Sequence, residues 1–175
     1  IAAIEYFDES VFELFFTSKI QPSIDLPSLP ENKQCAVYWE YIIKDTNSFD
    51  LEMDEWEEVL LRCGSSFDDT WSGFDSSESE KLKKFRHAVP EFVNSIVADN
   101  KRHCPLVRKI GTDSSIPGQY FREWFMSCVD KLIEQKIPFA AFGHLGDYHL
   151  HINMLPSNEN QLAVALDLYH RFMLS

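Results

Sequence analysis

The sequence predicts an α+β fold: a ferredoxin-like sandwich with a mostly antiparallel sheet and helices packed on one face. Three observations carry this expectation. Strand-like and helix-like patterns alternate along the chain. Two strand-like segments, "PFAAFGH" and "HLHINML", are separated only by a tight turn, so part of the sheet is antiparallel. The chain has 175 residues, 45% of them hydrophobic and 14% aromatic, which suits one domain with a sizeable core.

The elements follow in order. Residues 23–33, "SIDLPSLPENK", together with Pro22 bring three prolines close together and read as a loop. Residues 34–44 alternate, with Cys35, Val37, Trp39, Tyr41 and Ile43 on one face, the period of a strand. Residues 50–63 carry a helical stripe of Leu51, Trp56, Val59, Leu60 and Cys63, with Gly64 as a stop. Residues 65–76 read as turn material around a short strand, and 77–98 as a helix bent or split at Pro90. A strand is expected over 106–113. A helix follows over 118–136, where Phe121, Trp124, Phe125, Cys128, Val129 and Leu132 recur at three and four, with Pro138 closing it. The hairpin comes next, and a last helix starts near Asn158. There is no internal repeat and no glycine-rich phosphate loop among the six glycines.

Composition narrows the function. Lys and Arg number 16 against 28 Asp and Glu, a net charge of −12, which repels nucleic acid and anionic membrane surfaces. Much of the acidity lies between Asp50 and Glu58, a stretch without a base that reads as a solvated helix face. No apolar run approaches the roughly 20 residues needed to span a bilayer. Cys35, Cys63, Cys104 and Cys128 are widely spaced, the pattern of free thiols in a reducing cytoplasm.

Chemistry concentrates in "FGHLGDYHLHINM", residues 142–154, which holds three of the six histidines. In a strand, residues i and i+2 point the same way, so His149, His151 and Asn153 share a face. His144 ends the preceding strand, and a turn at Gly146-Asp147 folds it back toward the same region. Neutral imidazole is a common ligand for zinc, iron or nickel, so the cluster is a candidate metal site. On spacing alone, a solvated hairpin tip remains the other reading.

"GHLGDYHLHIN" resembles the histidine motif of the FAD-linked oxidase family, which includes D-lactate dehydrogenases, D-2-hydroxyglutarate dehydrogenases and the flavin subunit of glycolate oxidase. The family pattern is Gly-His-x-Gly-Asp-Gly-Asn-x-His-x-Asn, in the C-terminal substrate or cap domain. Gly143, His144, Gly146, Asp147, His151 and Asn153 match it, while Tyr148 and His149 stand where the family has Gly-Asn. Because those two residues favour positive φ, Tyr148 is expected to resist the turn and alter it locally. Other segments are similar in the family's order: "AIEYFD" resembles the opening of the domain, "KKFRHAVPEFV" a helix whose arginine meets the substrate carboxylate, and "KIGTDSSIP" a strand and turn running up to Asp113 and Pro117.

The resemblance implies that residues 1–175 are a partial C-terminal substrate domain, with an FAD-binding domain elsewhere in a longer chain. The parent would oxidise a 2-hydroxy acid of the D-lactate, glycolate or D-2-hydroxyglutarate class and pass electrons to a quinone or an electron-transfer protein. His144 and His151 are implied as ligands of a divalent metal, zinc first, with His149 and Asp147 as further candidates. Arg86, Asn153 and, more weakly, Lys109 are implied substrate contacts. Both ends read as fragment boundaries, and the family's third ligand lies in a downstream "Gly-Glu-His-Gly" segment. The isolated fragment is therefore expected to be inactive, with an incomplete metal site. The location implied is cytoplasmic, peripheral at a membrane at most through the electron acceptor. Two rivals use the same residues: a metal-dependent hydrolase that draws a third ligand from within the chain, and a non-catalytic interaction domain with vestigial histidines.

Overall fold

The structure, a computed structural model, describes residues 2–20, 35–42 and 49–174. The loop expected at 23–33 and the outer ends of the strand expected over 34–44 lie outside them. The fold is α+β, with one five-stranded antiparallel sheet in the order β2-β1-β4-β5-β3. The strands are β1 (Ala3–Phe7), β2 (Ala36–Glu40), β3 (Ile110–Gly111), β4 (Phe139–His144) and β5 (His149–Met154). The helices are α1 (Glu9–Thr17), α2 (Phe49–Arg62), α3 (Ser76–His103), α4 (Gly118–Glu134) and α5 (Glu159–Leu174).

The side-chain alternation of the strands decides where the core sits. Tyr6, Ala141, Leu150, Ile152 and Met154 face α4 and α5, and meet Phe125, Cys128, Leu132, Leu162, Ala165 and Phe172. This is the helical layer the sequence predicts. The opposite face carries Phe7, Ala140 and Phe142, and α1 and α3 cover that part with Val11, Phe12, Phe15, Phe85, Val89 and Phe92. The second layer rests on β1 and α1, a strand and a helix that the sequence patterns do not announce. Phe7 and Tyr6 are both covered, which blurs the two-residue period of β1. Asp8 starts α1 by accepting a hydrogen bond from the Ser10 amide, and the Ser10 hydroxyl accepts one from the Ala141 amide, which pins α1 to β4.

Three local expectations differ from the structure. Residues 65–76 hold no strand; a 3-10 turn forms at Phe67–Asp69, where the Asp69 carboxylate accepts from the Ser66 amide. Helix α3 runs unbroken through Pro90, because its stripe of Phe85, Ala88, Val89, Phe92 and Val93 packs on the sheet from both sides of the proline. The strand expected over 106–113 contracts to the two residues that pair with Met154 and Asn153. Helix α2 ends at Gly64, as predicted, in left-handed backbone. None of its residues is buried, and it reaches β2 by stacking Trp56 on Trp39, with ring centroids 4.9 Å apart. No helix among the described residues is long and apolar enough to cross a membrane. All four cysteines are free.

Candidate metal site

The pairing register gathers the histidines. Directly opposite residues of an antiparallel pair point to the same face. β4 and β5 pair His144 with His149 and Phe142 with His151, so all three imidazoles lie on the face that carries Phe7 and Ala140. Helices α1 and α3 cover the apolar part of this face, and the histidine end extends beyond it. His144 is exposed, while His149 and His151 are half-buried. The ring centroids of His149 and His151 are 4.7 Å apart, and those of His144 and His149 are 6.5 Å apart.

Asp113 closes the group. It follows β3 by two residues, which sets it opposite His151 in the continued register. Asp113 Oδ1 lies 2.8 Å from His149 Nε2 and 3.8 Å from His151 Nδ1. Asp113, His149 and His151 each bring a ligand atom to within 4.8 Å of the other two. An ion bonded at about 2.0–2.2 Å to each needs ligand atoms roughly 3–3.5 Å apart. Two imidazoles and a carboxylate are a suitable donor set for zinc or a similar divalent ion.

Thr112 prepares His151. Its hydroxyl accepts from the Ile152 amide at 3.0 Å, standing in for a ladder carbonyl. Its own carbonyl lies 3.1 Å from His151 Nδ1. A carbonyl only accepts, so Nδ1 donates and the neutral ring keeps its lone pair on Nε2. His149 has the opposite arrangement, because the Asp113 carboxylate accepts from its Nε2.

Beside the histidines sits an ion pair. Glu5 is buried, and its Oε1 accepts from Arg86 Nε at 2.7 Å and forms an ion pair with Nη2 at 2.5 Å. His144 Nδ1 lies 3.2 Å from the same oxygen. The Arg86 guanidinium also lies over the Tyr38 ring, 5.7 Å from its centroid. The hydrogen bond to Glu5 raises the Arg86 pKa further, against the opposing effect of burial.

The expected site residues thus separate. His151 and His149 meet, together with Asp113, to which the sequence gives no ligand role. His144 lies across the strand pair, with Nδ1 3.2 Å from the Glu5 carboxylate. Asp147 is exposed in the turn, and its carbonyl accepts from the Ser115 hydroxyl at 2.7 Å. Asn153 is 4% exposed, and its amide donates to the carbonyls of Ala140 and His151, so the sheet takes up the group expected to meet substrate. Lys109 is exposed, four residues before Asp113 in the chain. Arg86 faces the site, with two of its nitrogens engaged by Glu5.

The turn corrects one expectation. Tyr148 does adopt positive φ, at +55°. Its ring packs on Phe121 at 5.4 Å, and its carbonyl accepts from the Ile116 amide, contacts that offset a backbone cost of about 1–2 kcal/mol.

The chain matches no family model and no curated protein. By fold and site it is an antiparallel α+β sandwich that presents a histidine–aspartate cluster on one end of a sheet face.

Proposed function

We propose that the chain is the substrate-binding domain of an FAD-dependent oxidoreductase that acts on a 2-hydroxy acid of the D-lactate, glycolate or D-2-hydroxyglutarate class. The observation that supports it most directly is the convergence of His144, His149 and His151 on one sheet face, next to Asp113 and the Glu5–Arg86 pair. The metal, zinc or a similar divalent ion, would be held by His151 with His149 and Asp113. Such an ion chelates the carboxylate and hydroxyl of a 2-hydroxy acid and makes the hydroxyl more acidic. Arg86 suits the substrate carboxylate, through Nη1 or by exchanging Glu5 for it. FAD would be held by a separate domain of the same polypeptide, with a quinone or an electron-transfer protein as acceptor and a cytoplasmic location.

The test uses the polypeptide expressed from its whole reading frame. Bound metal and flavin reduction by 2-hydroxy acids are measured for the wild type and for His144→Ala and His151→Ala. Loss of metal and of reduction in the His151 variant is expected. Unchanged metal content and unchanged reduction in both variants would refute the reading.

A metal-dependent hydrolase is the second reading, favoured by one observation: three ligand residues lie within this chain. It predicts zinc-dependent ester or phosphoester hydrolysis by the chain alone, with no flavin requirement.

A further inference from the structure

We propose that Tyr148 is a positioning residue for the metal site: it latches the β4–β5 turn to the segment that carries Asp113, and so holds His149 and His151 against that carboxylate. This rests on the reading of Asp113, His149 and His151 as a metal site and names a residue that keeps them together.

Asp113 needs such a hold. β3 pairs with β5 at Ile110 and Gly111 only, and the Asp113 side chain is 80% exposed. Its place beside His149 is set by the backbone on either side. Before it, buried Thr112 exchanges two hydrogen bonds with Ile152: its amide donates to the Ile152 carbonyl, and its hydroxyl accepts from the Ile152 amide. After it, the Ser115 hydroxyl donates to the Asp147 carbonyl at 2.7 Å, and the Ile116 amide donates to the Tyr148 carbonyl at 3.2 Å. Asp113 is therefore fastened to the hairpin from both sides, and the second fastening is made by the turn.

Tyr148 holds the turn in place for that second fastening. Its φ of +55° is unusual for a bulky residue, and such a conformation persists when its surroundings over-determine it. The ring packs against Phe121 of α4 at 5.4 Å and lies over Gly118, the first residue of that helix. A Cβ on Gly118 would lie 2.7 Å from Cε2 and Cζ of the tyrosine. The helix thus begins with a residue that leaves room for the ring. Phe121 packs with the cluster on the α4 and α5 side of the sheet, whereas the histidines lie on the other side. His149 follows Tyr148 directly, so a turn that slips off α4 carries His149 away from Asp113.

The full chain is titrated with zinc alone, its Tm is read by circular dichroism, and exchange of the Ile116 amide is followed by NMR in metal-free protein. The amide is expected to be protected. Tyr148→Phe keeps the ring and should bind zinc as the wild type does. Tyr148→Gly removes the ring and also relieves the positive φ. Its zinc affinity should fall about tenfold, the low end for residues that support a metal ligand, with little change in Tm and with loss of Ile116 protection. Gly118→Ala displaces the ring without altering the turn residue and should lose zinc similarly. The double variant Gly118→Ala/Tyr148→Gly should lose no more than the worse single one. An unprotected Ile116 amide in the wild type overturns the proposal. So does unchanged zinc affinity in folded Tyr148→Gly, an equal loss in Tyr148→Phe, or a double variant whose loss is the product of the two single losses. A zinc loss matched by a collapse of Tm marks the contact as structural and overturns the positioning role. If Tyr148→Gly does not fold, Gly118→Ala decides by the same readings. A wild type that binds no zinc refutes the metal reading instead, and Ile116 exchange then decides on the latch alone.

Discussion

Gly143 is the position where one methyl group would do most harm. It lies in β4, one residue before His144, with φ at +148°, a conformation that side chains rarely adopt. A Cβ built there would lie 2.8 Å from the His149 carbonyl oxygen and 3.2–3.3 Å from the His151 ring and amide. The obstructing atoms are mostly backbone of β5, so relief requires β5 to move off β4 or β4 to change its φ. Backbone strain of this kind costs about 1–3 kcal/mol, and the clash adds to it. For Gly143→Ala we expect a loss of about 2 kcal/mol or more. In a domain of this size that lowers Tm by about 4–8 °C. Thermal unfolding followed by circular dichroism measures it, and a zinc titration of the same sample reads the histidine face. The displaced strand carries His149 and His151, so zinc affinity should fall together with Tm. A Tm within about 1 °C of wild type, with zinc affinity unchanged, would refute the reasoning.

Two further outcomes test the fold. Burial pushes the Cys128 thiol up to about 12 from an ordinary 9.0. Between those values the unfolded chain gives up the proton and the folded chain keeps it, so stability falls as pH rises above 9, by at most about 1.4 kcal/mol per pH unit from this group. Urea midpoints from pH 8 to 11 should decline, and more gently in Cys128→Ala; equal slopes would contradict the assignment. Asp75 caps α3 by accepting from the Glu78 amide at 2.8 Å. Asp75→Ala should cost about 1 kcal/mol in denaturant unfolding, and a change within error would mean the helix start frays without consequence.

The sequence displays the parts of this molecule whose signals are local. Alternation in "FAAFGH" and "HLHINM" marks β4 and β5, and the same alternation puts His149 and His151 on one side. The stripes of α4 and α5 are plain because each helix buries a single face. Other features depend on pairings between distant segments. Asp113 becomes a neighbour of His149 only because β3 pairs with β5, a contact across 36 residues. Glu5 meets His144 because β1 inserts between β2 and β4, and no local pattern in "AIEYF" signals that. Asn153 fits a motif position for substrate, but the pleat that lines up the histidines also tucks its amide between strands. Tyr148 accepts positive φ because Phe121, from a helix that begins thirty residues earlier in the chain, supplies a surface for its ring.

Pro90 has a consequence beyond the continuity of α3. Proline has no amide hydrogen, so the carbonyl four residues before it loses its i+4 donor. That carbonyl belongs to Arg86, whose side chain pairs with Glu5 beside the histidines. The rung missing from the ladder is therefore the one at the residue that faces the site. Helix α3 is clamped in the core by Phe92 and Val93 beyond the proline and by Phe85 just before Arg86. The turn that lacks this rung is therefore held by side-chain packing on both sides, and it is from this turn that Arg86 reaches Glu5.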